Sequence, residues 1–472
     1  MPRLIRSTTL PAWRDPEAVF LALAGAGADV AWLDGGRDAT EGRSVIAVAA
    51  DGAPTVTAGS DADPEAVLDA LAARVGGASR ADGERRPEGA AVGWHGWFGY
   101  EFGARMLGLP SATATTPDAA FFLADRVVVF DHAVRAVRLE WLEDDAAPAE
   151  PLRAWVDRVA ALVAGLPETD APRHPLPVDA GSRPVGVRWR HAPDAYARMI
   201  EDCRAAITRG DAYQLCLTNR IDVDAAVDPV AAYLRLRRSS PSHHGGFVRI
   251  GDTALLSASP EQFLHVGTDR IVSTKPMKGT RRRSADPAED AALRAELLAS
   301  DKERAENLMI VDLMRNDLAR IAEVGEVWVT GLLVVEEYPH VHQLVSTVTA
   351  RLRHPLTALD VVRATFPAGS MTGAPKESAM RILHGLERGP RGVYSGAFGR
   401  IGVDGGADLA MVIRSIVVTP EGASIGTGGG ITALSDPAEE VEETRLKARA
   451  LLAVLGVDGD DDGGRGRSAR IE

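Results

Sequence analysis

The sequence predicts a soluble globular protein of mixed α and β structure. Three observations carry that expectation. Short apolar runs broken by Gly, Pro and Asp fill the first third of the chain, as strands and turns do. Amphipathic helical periods recur through the remainder. The composition, 45% hydrophobic and 25% charged over 472 residues, is ordinary for a chain that buries a large core without disulfide or metal staples.

Taken in order, the elements follow from local chemistry. Asp15-Pro16 opens a helix over the apolar Ala18–Ala28 run, because Pro at the first helical position sacrifices only an N–H that has no partner anyway. Arg3, Arg6 and Arg14 upstream make that run resemble a signal-peptide core, but the adjoining Asp15, Pro16 and Glu17 argue for a helix of the folded protein. Ser44–Ala50 and Arg126–Asp131 read as strands, and Glu65–Val75 and Glu150–Leu166 as helices. Gly93–Tyr100, dense in glycine and aromatics, suits a strand that another backbone approaches closely. Residues 1–166 therefore form an N-terminal region, and 167–190, rich in Pro, Asp and Gly, a linker.

Residues 191–455 form the second region. Ala195–Thr208 lines up Tyr196, Met199, Ile200, Cys203 and Ile207 on one helical face. Tyr213–Ile221 follows as a strand, Asp286–Ile321 as one long helical pattern, and Pro437–Leu455 as a last helix. Residues 456–472 are glycine- and charge-rich, which predicts a disordered tail.

Charge narrows the function. Lys plus Arg number 53 against 66 Asp plus Glu, a net charge of −13. That balance argues against a nucleic-acid binder, which would show a basic stripe, and against a polybasic membrane-surface protein. No apolar run reaches the roughly 18 residues that span a bilayer. The two cysteines, Cys203 and Cys216, form no Cys-x-x-Cys pair. Zinc and redox motifs are thus not indicated, and a reducing cytoplasm is expected.

Four segments carry possible chemistry. Glu303 and Glu306 fall three apart on one helix, and Glu440 and Glu443 do the same on another. By spacing alone each pair reads as a solvated face with cations nearby, but facing pairs of carboxylates would suit a hard divalent ion such as Mg²⁺. Gly426-Thr427-Gly428-Gly429-Gly430 reads as a tight turn, or as a row of backbone donors for an anion. It lacks the Lys-Ser/Thr of a Walker A loop. Ser273–Arg283 reads as a solvated basic loop, or as a frame of Pro276 and Gly279 that makes Lys278 a nucleophile. Thr365–Lys376 offers hydroxyls at Ser370 and Thr372 that suit an oxyanion, or is a polar connector.

Together, and in this order, these segments resemble the chorismate-utilising enzyme family. That family includes anthranilate synthase component I, aminodeoxychorismate synthase component I, and the isochorismate and salicylate synthases. The match runs through Gly210–Arg220, Ala258-Ser-Pro-Glu261, Pro276-Met-Lys-Gly-Thr280, Glu303–Asp317, Ser370-Met-Thr-Gly-Ala-Pro-Lys376, Tyr394-Ser-Gly396, Ile413-Arg-Ser415, Gly426–Gly430 and Glu443-Thr-Arg-Leu-Lys447. Gly96–Glu101 and Pro117–His132 resemble its N-terminal portion. The resemblance implies an α+β fold, a single composite domain of two orthogonally packed β-sheets flanked by helices.

It also implies roles. Glu303, Glu306, Glu440 and Glu443 would bind Mg²⁺ against a carboxylate of chorismate. Gln214, Ser370, Thr372, Tyr394, Arg414, Gly428, Gly430 and Lys447 would contact substrate. Glu261 would be the general acid that protonates the departing C4 hydroxyl. Two positions discriminate among members. Isochorismate and salicylate synthases carry a lysine base where Gln214 stands, and an amide cannot activate water. Anthranilate synthases carry a small alanine where Lys278 stands. Lys278 points to the aminodeoxychorismate branch, in which the lysine attacks C2 and ammonia then attacks C4. Gln343, where a histidine is frequent, agrees with this. Ala31–Gly36 replaces the Leu-Leu-Glu-Ser segment of tryptophan-inhibited members, which speaks against feedback by tryptophan.

The expected activity is conversion of chorismate and ammonia to 4-amino-4-deoxychorismate, on the route to 4-aminobenzoate and folate. Anthranilate or aminodeoxyisochorismate formation is the alternative, and a non-catalytic chorismate-binding subunit a further one. Neither cysteine sits in the glycine-rich elbow of a glutamine amidotransferase, so that partner is expected as a separate subunit supplying ammonia.

Overall fold

The computed structural model describes residues 3–25, 28–83, 86, 88–143, 149–168 and 186–457. Its strands gather into two sheets, one of 13 strands and one of 10. Each sheet draws on both halves of the chain. In the larger, Val30–Asp34 pairs antiparallel with Gly245–Ile250, placing Trp32 opposite Phe247. In the smaller, Gly93–Phe98 pairs antiparallel with Ala397–Gly402. The expected α+β fold in one composite domain is therefore the observed one, with helices flanking the sheets.

Local chemistry sets the helix starts. Helices beginning at Pro16, Pro64, Pro229, Pro287 and Pro437 each follow an Asp whose side chain accepts from backbone N–H groups of the first turn. The Asp satisfies orphan donors, and the Pro supplies a pre-set φ. The core between the sheets is aromatic, with Trp94, Trp97, Phe98, Phe121 and Phe122 all nearly inaccessible. Gly96 is approached as expected: a Cβ there would lie 1.9 Å from the Ala120 carbonyl oxygen.

Several expectations are corrected. The first helix spans Pro16–Leu23 and stops short of Ala28. The long pattern over Asp286–Ile321 is two helices, Pro287–Ala299 and Asp301–Ala319. Ser300 between them takes an extended backbone (ψ 111°), as suits a residue whose side chain competes for backbone hydrogen bonds. Of the expected linker, residues 169–185 lie outside the described residues, while Gly186–Trp189 is a strand paired with Ile221–Asp224. Of the expected tail, 458–472 lies outside the described residues and Val457 is buried. Among the described residues no helix is long and apolar enough to cross a membrane.

Candidate active site

A cavity of about 400 Å³ opens where the two helices with paired glutamates meet the ends of both sheets. Glu261, Lys278, Glu303, Glu306, Ser370, Tyr394, Arg414, Gly428, Gly430, Glu440, Glu443 and Lys447 all line it. Two expected contacts do not. Thr372 is fully buried and turns its hydroxyl back to the carbonyls of Ala368 and Gly369. Gln214 is buried behind Gly430, where a Cβ would meet its Nε2 at 2.3 Å, and its Oε1 has no partner.

Lys278 is aimed by its backbone. It belongs to the strand Met277–Arg282, not to a loop. Met277 pairs with Val345 but Thr280 pairs with Gln343, so two residues oppose one and the strand bulges. Bulges re-aim side chains at the edges of sheets. Gly279 makes this one possible. Its φ is +84°, and a Cβ would lie 2.6 Å from Glu303 Cγ. The Lys278 ammonium then stands 3.7 Å from Glu306. Burial pulls the Lys278 pKa down, but Glu306, Cys216, Glu261 and Glu443 outweigh it and hold the group above its ordinary value.

Glu261 precedes the strand Gln262–Val266. Burial pushes its pKa up to about 7, against the pull of the Ser370 hydroxyl and of Lys278. Ser370 donates to its Oε1 at 2.8 Å. The short helical turn Gly369–Met371 that carries Ser370 is held from behind. Lys376 reaches Asp317 Oδ2 at 2.6 Å and the Thr365 carbonyl at 2.8 Å. This pins the Thr365–Lys376 segment to the helix that carries Glu303 and Glu306.

The glycine-rich segment is a strand, Gly422–Ile431, rather than a turn. Its N-terminal part lies between two neighbours. From Gly426 to Gly430 it pairs with Arg220–Cys216 alone, because its second neighbour, Ser415–Thr419, reaches only Ile425. The missing side chains make room: a Cβ at Gly426 would lie 2.0 Å from the Tyr394 ring. The Gly428 carbonyl accepts from Lys447 at 2.9 Å. Arg414, with φ 48°, is exposed at the cavity wall.

The four helix glutamates lie together on that wall, each against a cation. Glu303 meets Arg281 at 3.2 Å, Glu306 meets Lys278 at 3.7 Å, Glu440 meets Lys302 at 3.1 Å, and Glu443 meets Lys447 at 2.7 Å. Burial and the neighbouring carboxylates raise the Glu306 pKa, despite Lys278 and Lys302. Burial would raise Glu443 too, but Lys447, Lys302 and Lys278 bring it below the ordinary value. With each carboxylate turned to its own cation, no three His, Cys, Asp or Glu side chains among the described residues form a group that could hold a metal ion. The donor set itself fits a hard divalent ion, being four carboxylates from two helices around one cavity.

Sequence reasoning missed Lys302, Arg281 and, behind the cavity, Arg391. The cations near the glutamates, one to four residues along the chain, read as neighbours on a solvated helix. Only Lys447–Glu443 is such a pair. Lys302 instead bridges to the other helix.

The chain matches the protein family described as chorismate binding enzyme over residues 29–453. It is 45% identical over 368 residues to an aminodeoxychorismate synthase of Streptomyces pristinaespiralis, covering 77% of this chain and 51% of that one. It is 42% identical over 478 residues to an aminodeoxychorismate synthase of Streptomyces griseus, covering 96% and 65%. The chain thus spans between half and two thirds of these relatives. The crystal structure of anthranilate synthase component I from Streptococcus pneumoniae superposes with a TM-score of 0.73 at 30% identity, covering 94% of this chain and 98% of that one.

Proposed function

The chain belongs to the chorismate binding enzyme family, and from that premise we propose that it is an aminating chorismate enzyme. Its reaction is chorismate plus ammonia to 4-amino-4-deoxychorismate plus water. The observation that carries this reading is Lys278. A lysine on a bulge aims into the cavity that also holds a buried acid, Glu261.

The steps balance as follows. Lys278, held as an ammonium in the free cavity, first gives up a proton to solvent; its neutral amine then bonds to C2 of chorismate, the ring double bonds shift, and the C4–O bond breaks. Glu261, protonated below about pH 7, gives its proton to the leaving hydroxyl, which departs as water. The C2-bound nitrogen then loses its extra proton to the Glu261 carboxylate, which restores the acid. Ammonia then bonds to C4, the double bonds shift back, and the C2–N bond to Lys278 breaks. The lysine leaves with the proton that ammonia loses. Both carboxylates of the substrate need cations, which Arg414 and Lys447 supply from the wall. Mg²⁺ held by Glu303, Glu306, Glu440 and Glu443 would offset the charge of one substrate carboxylate. Ammonia would come from a glutamine amidotransferase subunit, and the product would lie on the route to 4-aminobenzoate. A cytoplasmic setting agrees with two free, buried cysteines.

The test is incubation with chorismate, Mg²⁺ and ammonium, with products resolved by mass spectrometry. The expected product carries an amino group where chorismate has its hydroxyl and retains the enolpyruvyl group. Anthranilate as the product would overturn the reading in favour of the other branch. Lys278→Ala is expected to abolish formation of the product. Unchanged rate and product in that variant would remove the covalent step.

A further inference from the structure

The reading that the four helix glutamates receive a divalent cation leaves Lys302, which lines the same cavity, without a part. Lys302 is in the first turn of the Asp301–Ala319 helix, where the helix dipole disfavours a cation. Its ammonium points away from its own helix and donates to Glu440 Oε1 at 3.1 Å, its one hydrogen bond among the described residues. We infer that Lys302 is a displaceable counter-ion: it occupies the carboxylate cluster in the metal-free protein and must swing into solvent before a divalent cation can bind.

Three observations favour exchange over a fixed strut. First, the two ends of the pair differ in freedom. The Lys302 side chain is 49% exposed and that of Glu440 only 3%, so the lysine can leave and the carboxylate cannot. Second, Glu440 does not depend on Lys302 for its position, since the Ser435 hydroxyl donates to the same Oε1 at 2.8 Å. Third, the other cations paired with the helix glutamates are tied elsewhere. Lys278 is set by its bulge, Lys447 also holds the Gly428 carbonyl, and Arg281 also pairs with Glu296. The ammonium on Glu440 stands among the carboxylates that would receive a divalent ion, and like charges exclude each other from one site.

The inference rests on the metal reading, and one experiment separates the two. Mg²⁺ binding to the full chain without chorismate is measured by calorimetry for the parent, Lys302→Met and Lys302→Arg. Lys302→Met is expected to tighten Mg²⁺ roughly twofold to fivefold, the range of a partly exposed ion pair. Lys302→Arg is expected to bind no more tightly than the parent. In parallel, acylation of lysines by a water-soluble reagent is mapped by peptide mass spectrometry. Saturating Mg²⁺ is expected to raise labelling of Lys302 several-fold. Lys275, paired with Glu336 at 2.9 Å, is the internal reference. Unchanged or weaker Mg²⁺ binding in Lys302→Met, or unchanged labelling of Lys302, overturns the inference. No Mg²⁺ binding by any of the three proteins overturns the metal reading itself, and the inference with it.

Discussion

The molecule holds opposite charges together in two ways. Behind the cavity, the fully buried Arg391 guanidinium donates to both oxygens of Glu387, to the carbonyls of Met371 and Cys216, and to the Ser395 hydroxyl. It also lies over the Tyr100 ring, 4.1 Å from its centroid. Each contact is fixed by backbone or by a second buried residue. In the cavity, three of the four cations paired with the helix glutamates are lysines, and each of those carboxylates is held by one nitrogen. The difference is between a planar fork with preset partners and a point charge on a flexible stem. The first locks the walls in place, because Met371 and Cys216 both line the cavity. The second leaves the charges ready to trade partners for a ligand.

Breaking the fixed region is expected to have the largest effect. Arg391→Met would strand a buried Glu387 carboxylate and free two buried carbonyls. It should cost about 3–5 kcal/mol in denaturant unfolding. A loss below about 1 kcal/mol would erase the contrast between the two regions.

The cavity should respond the other way. Glu261→Gln is expected to lower kcat by about 10²–10⁴, the usual worth of a positioned general acid, yet to stabilise the protein at alkaline pH. The folded pKa of about 7 lies above the ordinary 4.5. The stability this carboxyl contributes is therefore fully present below pH 4.5 and is lost as pH rises through 7. Relative to the parent, the variant should gain about 3 kcal/mol between pH 4.5 and 8. Glu101 is also pushed up to about 7 by burial, so the difference between variant and parent is the quantity to measure. A difference that does not change with pH would mean that Glu261 is not held protonated by the fold.

Smaller effects sharpen the comparison. Gly426→Ala puts a methyl group 2.0 Å from the Tyr394 ring. It should cost about 1–3 kcal/mol as overpacking and weaken chorismate binding as the ring shifts. An unchanged thermal midpoint and affinity would show that the ring yields freely. Lys447→Met removes a half-exposed pair with Glu443. Stability should fall by no more than about 0.5 kcal/mol, while chorismate affinity, read by calorimetry, falls markedly. A loss of stability without a loss of affinity would move Lys447 into the structural class.

How far the sequence could be read follows the same division. Helix starts were legible, because an Asp-Pro step acts within one turn. So were Lys278, Glu261 and the four glutamates, since their motifs are local and ordered along the chain. The glycine segment was misread as a turn because glycine has no side chain to show the alternation of a strand. The bulge under Lys278 was hidden because it exists only against Gln343–Val345 of another strand. Arg391 was invisible for the same reason. Its backbone N–H reaches Glu101 and its side chain reaches Cys216, both far away in the chain. Lys302 was visible as a cation, but its partner Glu440 lies on another helix far along the chain.

The interleaving of the sheets bears on how the protein is made. Gly93–Phe98 finds one of its neighbours only in Ala397–Gly402. Gln214–Asp224 waits likewise for Gly422–Ile431. During synthesis the early strands must pass several hundred residues of translation with open edges, at roughly 5–20 residues per second. Such edges are templates for unwanted pairing. Neither sheet can close until the last strands have left the ribosome, so this chain depends on protection of its nascent form more than a protein of separate domains would.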